Sequence, residues 1–148
     1  MEIREAIVSD VESLMDLYLN HLTKYPPKEK QNSNEWIEFI EKFIADENYN
    51  LLVAVEDGKV VSSLTIVIIR NLTHNLRPYS VMENVVTHID YRKRGYSSKL
   101  MEHASKIARS YNCYKIMLMT GSKRESTLNF YRKNGFTIGD KTACLKRL

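Results

Sequence analysis

The sequence contains few of the residues that cross-link or interrupt small proteins. Its 148 residues include only 2 cysteines, 3 prolines and 5 glycines. Neither Cys113 nor Cys144 belongs to a CxxC motif or a Cys/His cluster, which argues against a disulfide scaffold and against a structural zinc site. We therefore expect a protein without a bound metal, in a reducing, cytoplasmic environment.

Long apolar runs are also missing. The longest, from Leu64 to Ile69, has the length of a strand, and the segment Met1–Glu5 lacks the apolar core of a signal peptide. We therefore expect no membrane association. The charge excess is small, because 22 Lys and Arg against 18 Asp and Glu leave a net charge of +4. This excess favours an anionic ligand and is too mild to indicate nucleic acid as a partner.

The composition is that of an ordinary globular protein, with 43% hydrophobic and 27% charged residues. A chain of this length can bury roughly two-thirds of its unfolded surface, so it can fold without metals or disulfides. No internal repeat or low-complexity tract divides it. We therefore expect a single domain over residues 1–148.

Hydrophobic periodicity predicts alternating helices and strands. The expected elements are a strand near 3–6, helices over 11–22 and 32–44, strands over 51–55, 60–69 and 79–88, a helix through 100–111, a strand over 114–120, a helix over 125–133 and one or two closing strands within 136–148. The order β-α-α-β-β-β-α-β-α-β predicts an α/β (α+β) fold. Its mixed, mostly antiparallel sheet would be flanked by helices.

The most informative segment joins the fourth strand to the third helix. Arg92, Lys93 and Arg94 form a short basic turn, and Gly95 follows them immediately before the helix. The start of a helix presents unpaired backbone N–H groups and a partial positive charge, which together favour an anion. Gly95 would let a phosphate approach the backbone where a Cβ would clash. Because neither GxxxxGK[ST] nor GxGxxG is present, the turn predicts a different kind of diphosphate site.

Two motifs carry a resemblance to a known family. The pattern Arg92-x-x-Gly95-x-Ser97 resembles the Q/R-x-x-G-x-G/A signature of the GNAT family of N-acetyltransferases, whose loop holds the pyrophosphate of acetyl-CoA. Tyr131, four residues before Gly135-Phe136, resembles the second signature of that family. The resemblance covers essentially the whole chain and implies the GNAT fold. Within the family, segments 82–86 and 113–116 are most similar to the glucosamine-6-phosphate acetyltransferase branch.

The resemblance also implies functional residues. Glu83 is similar to the glutamate that serves as the general base toward the attacking amine, with an ion-paired or rim carboxylate as the alternative. Tyr131 corresponds to the proton donor to the leaving thiolate, with a packing tyrosine as the alternative. The residues expected to contact acetyl-CoA are Val85, Val86, Thr87, Arg92, Lys93, Arg94, Gly95, Tyr96, Ser97, Phe130 and Tyr131. His88 is interpreted as a surface histidine, with a catalytic base as the alternative. The other histidines, His21, His74 and His103, are interpreted as structural or exposed.

The predicted function is therefore acetyl-CoA-dependent N-acetylation of a primary amine by direct attack. An amino sugar, an aminoglycoside or a polyamine is favoured over a protein as the acceptor. A non-catalytic acyl-CoA-binding module is the alternative, and the presence of both Glu83 and Tyr131 argues against it. A homodimer is possible because dimers are frequent among similar proteins. No nucleic acid, membrane or metal is expected as a partner.

Overall fold

One sheet of five strands, in the order β1-β2-β3-β4-β5, forms the framework of the molecule. The computed structural model describes all 148 residues. The strands are β1 (Glu2–Glu5), β2 (Tyr49–Glu56), β3 (Lys59–Ile69), β4 (Tyr79–Thr87) and β5 (Ile116–Leu118). The first four strands pair antiparallel in chain order, and the chain reaches β5 through a helix. The predicted mixed sheet of an α+β fold is thus confirmed.

Four helices lie where the sequence predicts them, three before β5 and one after it. They are α1 (Val11–Asp16), which continues as a π-helical turn over Leu17–Leu22, then α2 (Ser33–Ala45), α3 (Tyr96–Ser110) and α4 (Glu125–Lys133). Short 3-10 turns occupy Val8–Asp10 and Ile89–Tyr91. We call Leu17–Leu22 the π segment. The sequence predicts an unbroken helix here, because hydrophobic spacing does not reveal a change from i→i+4 to i→i+5 hydrogen bonds.

Local sequence explains several of the boundaries. The Asn32 side chain accepts a hydrogen bond from the Asn34 N–H at 3.0 Å and so caps α2. Asp57 and Gly58 connect β2 to β3 with φ values of 50° and 75°. Both values are positive, as a tight hairpin turn between twisted strands requires.

The two faces of the sheet bury different helices. On one face, α1, the π segment and α2 cover a cluster that includes Leu14, Leu17 and Ile40 from the helices and Val53 from β2. On the other face, α3 packs against β2, β3 and β4. Its buried residues are Tyr96, Leu100, Met101, Ala104 and Ala108. Because successive strand residues point to opposite faces, this double covering explains why β2 and β3 are apolar almost throughout.

The prediction of closing strands in the tail is wrong. Residues 136–148 form no strand, and most of their side chains are exposed. This segment contains several charged residues and lacks the alternating pattern that would bury one face of a strand. The fifth strand is also shorter than predicted, with three residues in place of the span 114–120.

The structure is organised as two compact units, residues 1–117 and 118–148. In the second unit, α4 ends with Gly135 in the left-handed conformation, at a φ of 87°. The Gly135 N–H bonds the Arg132 carbonyl at 3.0 Å, and the Phe136 N–H bonds the Tyr131 carbonyl at 3.1 Å. This pair of hydrogen bonds is the Schellman arrangement, which confirms the predicted helix end. None of the helices combines the length and apolar character that crossing a bilayer would require.

Candidate cofactor and active site

A β-bulge interrupts the pairing of β3 with β4. Ser63 lies opposite Val86 and Thr65 lies opposite Glu83, so two residues of β4 face only Leu64. One of the two, Asn84, has a φ of 55° and an exposed side chain. A bulge locally disrupts the ladder and bends the strand. The bulge therefore follows Glu83 and includes Val85, the first of the residues Val85–Thr87 that were predicted to hold the cofactor.

The turn from β4 to α3 has the backbone geometry of an anion site. Lys93 and Gly95 adopt left-handed φ values of 63° and 86°, whereas the intervening Arg94 does not. Gly95 is the N-cap of α3, and its carbonyl accepts the Lys99 N–H at 3.1 Å. Left-handed residues beside a helix start favour a concave backbone in which neighbouring N–H groups can bind one anion. The first-turn N–H groups of α3 are therefore available to a phosphate.

The cations of this turn have different roles. The Arg92 guanidinium donates to the Thr87 carbonyl at 3.2 Å and to the His21 carbonyl at 3.4 Å. These hydrogen bonds connect the turn to the end of β4 and to the π segment. The Arg94 guanidinium lies 5.2 Å from the centre of the Tyr91 ring. Lys93 is exposed. The side chains of Lys93 and Arg94 thus remain near the surface, where they can meet an anionic ligand.

Three hydroxyl groups join the turn to the sheet. Ser97 Oγ lies 2.6 Å from Thr87 Oγ1, and Ser62 Oγ lies 2.7 Å from Thr87 Oγ1. Ser62 also donates to the Val86 carbonyl at 2.6 Å. The network fixes the first turn of α3 against β3 and β4. It also engages the Ser97 hydroxyl in a hydrogen bond with Thr87.

Glu83 lies on the face of the sheet that α1 and α2 cover. It is opposite Thr65, and residues opposite each other in an antiparallel pair share a face. The half-buried Glu83 side chain has no hydrogen-bond or ion-pair partner in the chain. Nearby on the same face, the Tyr18 hydroxyl lies 3.1 Å from Ser63 Oγ. Burial raises the pKa of the Tyr18 phenol, and hydrogen bonds to Ser63 and Thr65 oppose that shift.

In the second unit, Tyr131 lies on α4 between two aromatic rings. Its ring centre is 5.2 Å from that of Phe130 and 6.1 Å from that of Phe136, and both contacts are edge-to-face. Arg132 is held on the same helix by Glu125 and Asn129, at 2.7 Å from each. The aromatic contacts fix the Tyr131 ring within its own unit. The role of its hydroxyl stays a prediction.

The structure also assembles a group of residues that the sequence does not connect. His88 is not a surface residue, because only 14% of its side chain is exposed, and its ring centre lies 4.1 Å from that of His21. Asp16 lies beside both rings. No local sequence pattern predicts this contact, because it arises only when the π segment packs against β4.

Comparisons with known proteins agree with this architecture. The model of the acetyltransferase (GNAT) family matches residues 12–136. A glucosamine 6-phosphate N-acetyltransferase of Trypanosoma brucei brucei is 30% identical over 147 residues, which span 95% of this chain and 92% of that protein.

Solved structures give the same result. A putative acetyltransferase from Agrobacterium tumefaciens superposes with a TM-score of 0.87 at 33% identity, over 99% of this chain and 100% of the other. An acetyltransferase of Trypanosoma brucei superposes with a TM-score of 0.81 at 28% identity, over 99% of each chain. The chain therefore belongs to the GNAT acetyltransferase family and is an N-acetyltransferase.

Proposed function

We propose that the protein transfers the acetyl group of acetyl-CoA to the primary amine of a small molecule. The observation that carries the proposal is the start of α3, where Lys93 and Gly95 have left-handed φ values and the first turn of the helix begins beside exposed cations. A pyrophosphate is the ligand that best complements such a turn. Membership of the GNAT family supports acetyl-CoA as the molecule that carries it.

In this proposal the residues of the α3 turn have separate roles in binding the pyrophosphate and in positioning the turn. The backbone of Gly95, Tyr96 and Ser97 binds the pyrophosphate oxygens, and Lys93 and Arg94 neutralise part of their charge. Arg92 and Thr87 hold the turn in place through the hydrogen bonds described above. Val86 is buried in the core, so it contributes to cofactor binding through its backbone. Val85 and, in the second unit, Phe130 remain predicted cofactor contacts.

The proposed chemistry is direct acetyl transfer. An amine is cationic near neutral pH, so Glu83 accepts one of its protons, either directly or through water, and frees the lone pair. The nitrogen attacks the thioester carbonyl, and a C–N bond forms. The nitrogen of this adduct then loses a second proton to water, so that it becomes the neutral amide nitrogen. The C–S bond then breaks, and CoA leaves as a thiolate. The absence of an ion-pair partner for Glu83 supports its role as the base.

Tyr131 is the proposed donor to that thiolate. An unperturbed phenol has a pKa near 10, so it carries its proton at neutral pH and can donate it. Its position in the second family motif supports this role. The products of the complete reaction are an N-acetylated amine and the CoA thiol.

The acceptor is proposed to be an amino sugar, an aminoglycoside or a polyamine. The curated relative that is 30% identical acts on glucosamine 6-phosphate, which makes that amino sugar the first compound to test. The corresponding family branch has an acidic residue at the end of its fifth strand, where this chain has Met119 and Thr120. This difference keeps aminoglycosides and polyamines in the set of acceptors.

The test is a thiol-release assay with acetyl-CoA and a panel of amines, with amino acids and peptide N-termini as additional acceptors. We expect release of CoA thiol that depends on one class of small amine, and mass spectrometry should find the matching N-acetyl product. Binding of acetyl-CoA without release for any amine would instead be the behaviour of a non-catalytic acyl-CoA-binding module. Absence of acetyl-CoA binding would overturn the proposal as a whole.

A further inference from the structure

Asp16, His21 and His88 form a compact group of metal-binding side chains, which we call the Asp-His-His cluster. Asp16 Oδ2 lies 3.6 Å from His21 Nε2 and 3.9 Å from His88 Nε2. One ligand atom from each residue lies within 4.8 Å of both others. The Nε2 atoms of both imidazoles thus lie near the same carboxylate oxygen.

The π segment is what brings two of these residues together. Asp16 and His21 are 21 − 16 = 5 positions apart. In an α-helix, neighbours on one face are three or four positions apart. The π-helical turn widens the repeat to i→i+5, as the hydrogen bond from the Thr23 N–H to the Tyr18 carbonyl at 3.2 Å shows. Such turns occur frequently at functional sites.

His88 reaches the cluster from the end of β4. It follows the last strand residue, Thr87, and forms the N-cap of the 3-10 turn Ile89–Tyr91. Only 13% of the His21 side chain and 14% of the His88 side chain are exposed, against 38% of Asp16. The two imidazoles are therefore largely withdrawn from water, and the carboxylate forms the accessible side of the cluster.

A further carboxylate stands behind His88. Asp90 Oδ2 lies 3.7 Å from His88 Nδ1, and the same Nδ1 accepts the Asp90 N–H at 3.2 Å. A metal-bound imidazole usually donates its second ring N–H to a carboxylate or a carbonyl. Binding of a metal through Nε2 therefore requires the tautomer of His88 in which Nδ1 carries the proton. In that tautomer Nδ1 no longer accepts the Asp90 N–H and instead donates a hydrogen bond to the Asp90 carboxylate.

We propose that the Asp-His-His cluster binds a divalent transition-metal ion of the Zn²⁺, Co²⁺ or Ni²⁺ class. Two imidazoles and one carboxylate are ligands that these ions accept. Metal–ligand bonds of about 2.0–2.2 Å at tetrahedral angles separate ligand atoms by about 3.3 Å. The observed 3.6 Å and 3.9 Å exceed that separation, and the ligand atoms of the two histidines lie within 4.8 Å of each other, so the side chains must move closer together when the ion binds. Water would complete the coordination. This site lies outside the acetyl-transfer chemistry proposed above.

The test uses untagged protein that has been stripped with a chelator, without acetyl-CoA or amine. Titration with Zn²⁺ by calorimetry should show one ion bound per chain, and Co²⁺ should give a visible d–d absorption band. Binding should raise the melting temperature, because the ion prefers the folded state. It should also weaken as the pH falls, because the ligands must be deprotonated. These measurements do not depend on whether the acetyl-transfer proposal is correct.

Variants separate this site from adventitious binding. His21→Gln, His88→Gln and Asp16→Asn should each weaken Zn²⁺ binding by more than the roughly 10–100-fold that loss of an outer partner typically costs. Asp90→Asn should produce a loss within that range. His103→Gln, on α3 and outside the cluster, should leave the affinity unchanged.

The melting temperature of each metal-free variant, compared with that of the metal-free parent, shows whether the variant is folded. Absence of binding to the parent protein would overturn the proposal. Binding that is unchanged in both His21→Gln and Asp16→Asn would also overturn it, because the ion would then be held elsewhere.

Discussion

The start of α3 and the π segment both lie beside the end of β4, but they offer a ligand different chemical groups. The α3 turn presents backbone N–H groups and exposed cations such as Lys93. The π segment buries its functional side chains, and Tyr18 and His21 contact residues of β3 and the β4 end. Backbone N–H groups and mobile cationic side chains suit a phosphate, which is a group common to many ligands. Fixed and buried side chains suit a ligand that must be distinguished from its neighbours.

Replacing Gly95 with glutamate tests the α3 turn and should have the largest effect. The variant places a negative side chain where the pyrophosphate is proposed to bind, at a φ of 86° that side chains rarely adopt. We expect loss of the melting-temperature shift that acetyl-CoA gives to the parent protein, and loss of transferase activity. Thermal shift with and without acetyl-CoA measures the first effect.

Gly58→Glu is the matched control for that variant. Gly58 also has a positive φ, of 75°, and a Cβ there would contact nothing within 4 Å. Both variants should therefore carry similar backbone strain, and only Gly95→Glu should abolish cofactor binding. Normal acetyl-CoA binding by Gly95→Glu would move the pyrophosphate site away from the α3 turn.

Glu83→Gln tests a residue between the two regions, since Glu83 lies on β4, the strand that precedes the α3 turn, and on the sheet face that Tyr18 contacts. We expect acetyl-CoA binding to be preserved and kcat to fall by roughly 10²–10⁴, as is typical when a general base is removed. The loss should shrink at higher pH, where more of the amine is already deprotonated. A pH–rate profile of both proteins measures this.

Glu5→Gln in β1 removes a carboxylate of an outer strand and should leave the rate unchanged. If Glu83→Gln kept the parental rate and pH profile, the base would have to be another group.

Tyr131→Phe should have a smaller effect on the rate. It keeps the ring and its contacts with Phe130 and Phe136 and deletes only the hydroxyl. The affinity for acetyl-CoA should change little, and kcat should fall by roughly 10²-fold or less, because a thiolate is a competent leaving group even unassisted. Single-turnover kinetics would isolate the chemical step.

An acyl thioester with a more acidic thiol should reduce the loss in Tyr131→Phe further. Tyr111→Phe, at the end of α3, is the control, and its activity should match that of the parent. A parental single-turnover rate in Tyr131→Phe would exclude the tyrosine as the acid.

Tyr18→Phe tests the π-segment side and should have the smallest effect. It removes the hydrogen bond to Ser63, which typically contributes about 1 kcal/mol to the free energy of unfolding. Urea denaturation at neutral pH measures that loss. Acetyl-CoA affinity should stay unchanged, and a tenfold loss of affinity would show that the Tyr18 hydroxyl contributes to cofactor binding.

The same variant has a signature in alkaline solution. The pKa of Tyr18 is higher in the folded protein than its usual value of 10.0. Between those two pKa values the unfolded chain has lost the proton and the folded chain retains it. Stability of the parent should therefore fall as the pH rises above about 10. Tyr18→Phe should lack this part of the decline, and an equal decline in both proteins would contradict the assignment.

Sequence patterns predicted the local features well and the tertiary ones poorly. The predicted spans of α2, β2, β3 and α4 rest on residues that are close together in the chain, and the structure confirms each to within about two residues. The Asp-His-His cluster joins residues that are 88 − 21 = 67 positions apart through a π-helical turn. Hydrophobic spacing cannot register one extra residue in a helical turn, and a lone histidine after a strand carries no information about its partner.

The Arg92 guanidinium, which bonds the carbonyls of Thr87 and His21, has a thermodynamic consequence. A ligand that tightens the α3 turn also restrains the π segment through this side chain, and the converse must hold to the same extent. Such reciprocity is required of any two linked binding equilibria. Binding of a ligand at the α3 turn and binding of a ligand at the π segment should therefore be cooperative. Arg92→Lys, which cannot span both carbonyls with a planar fork, should make the two binding events independent.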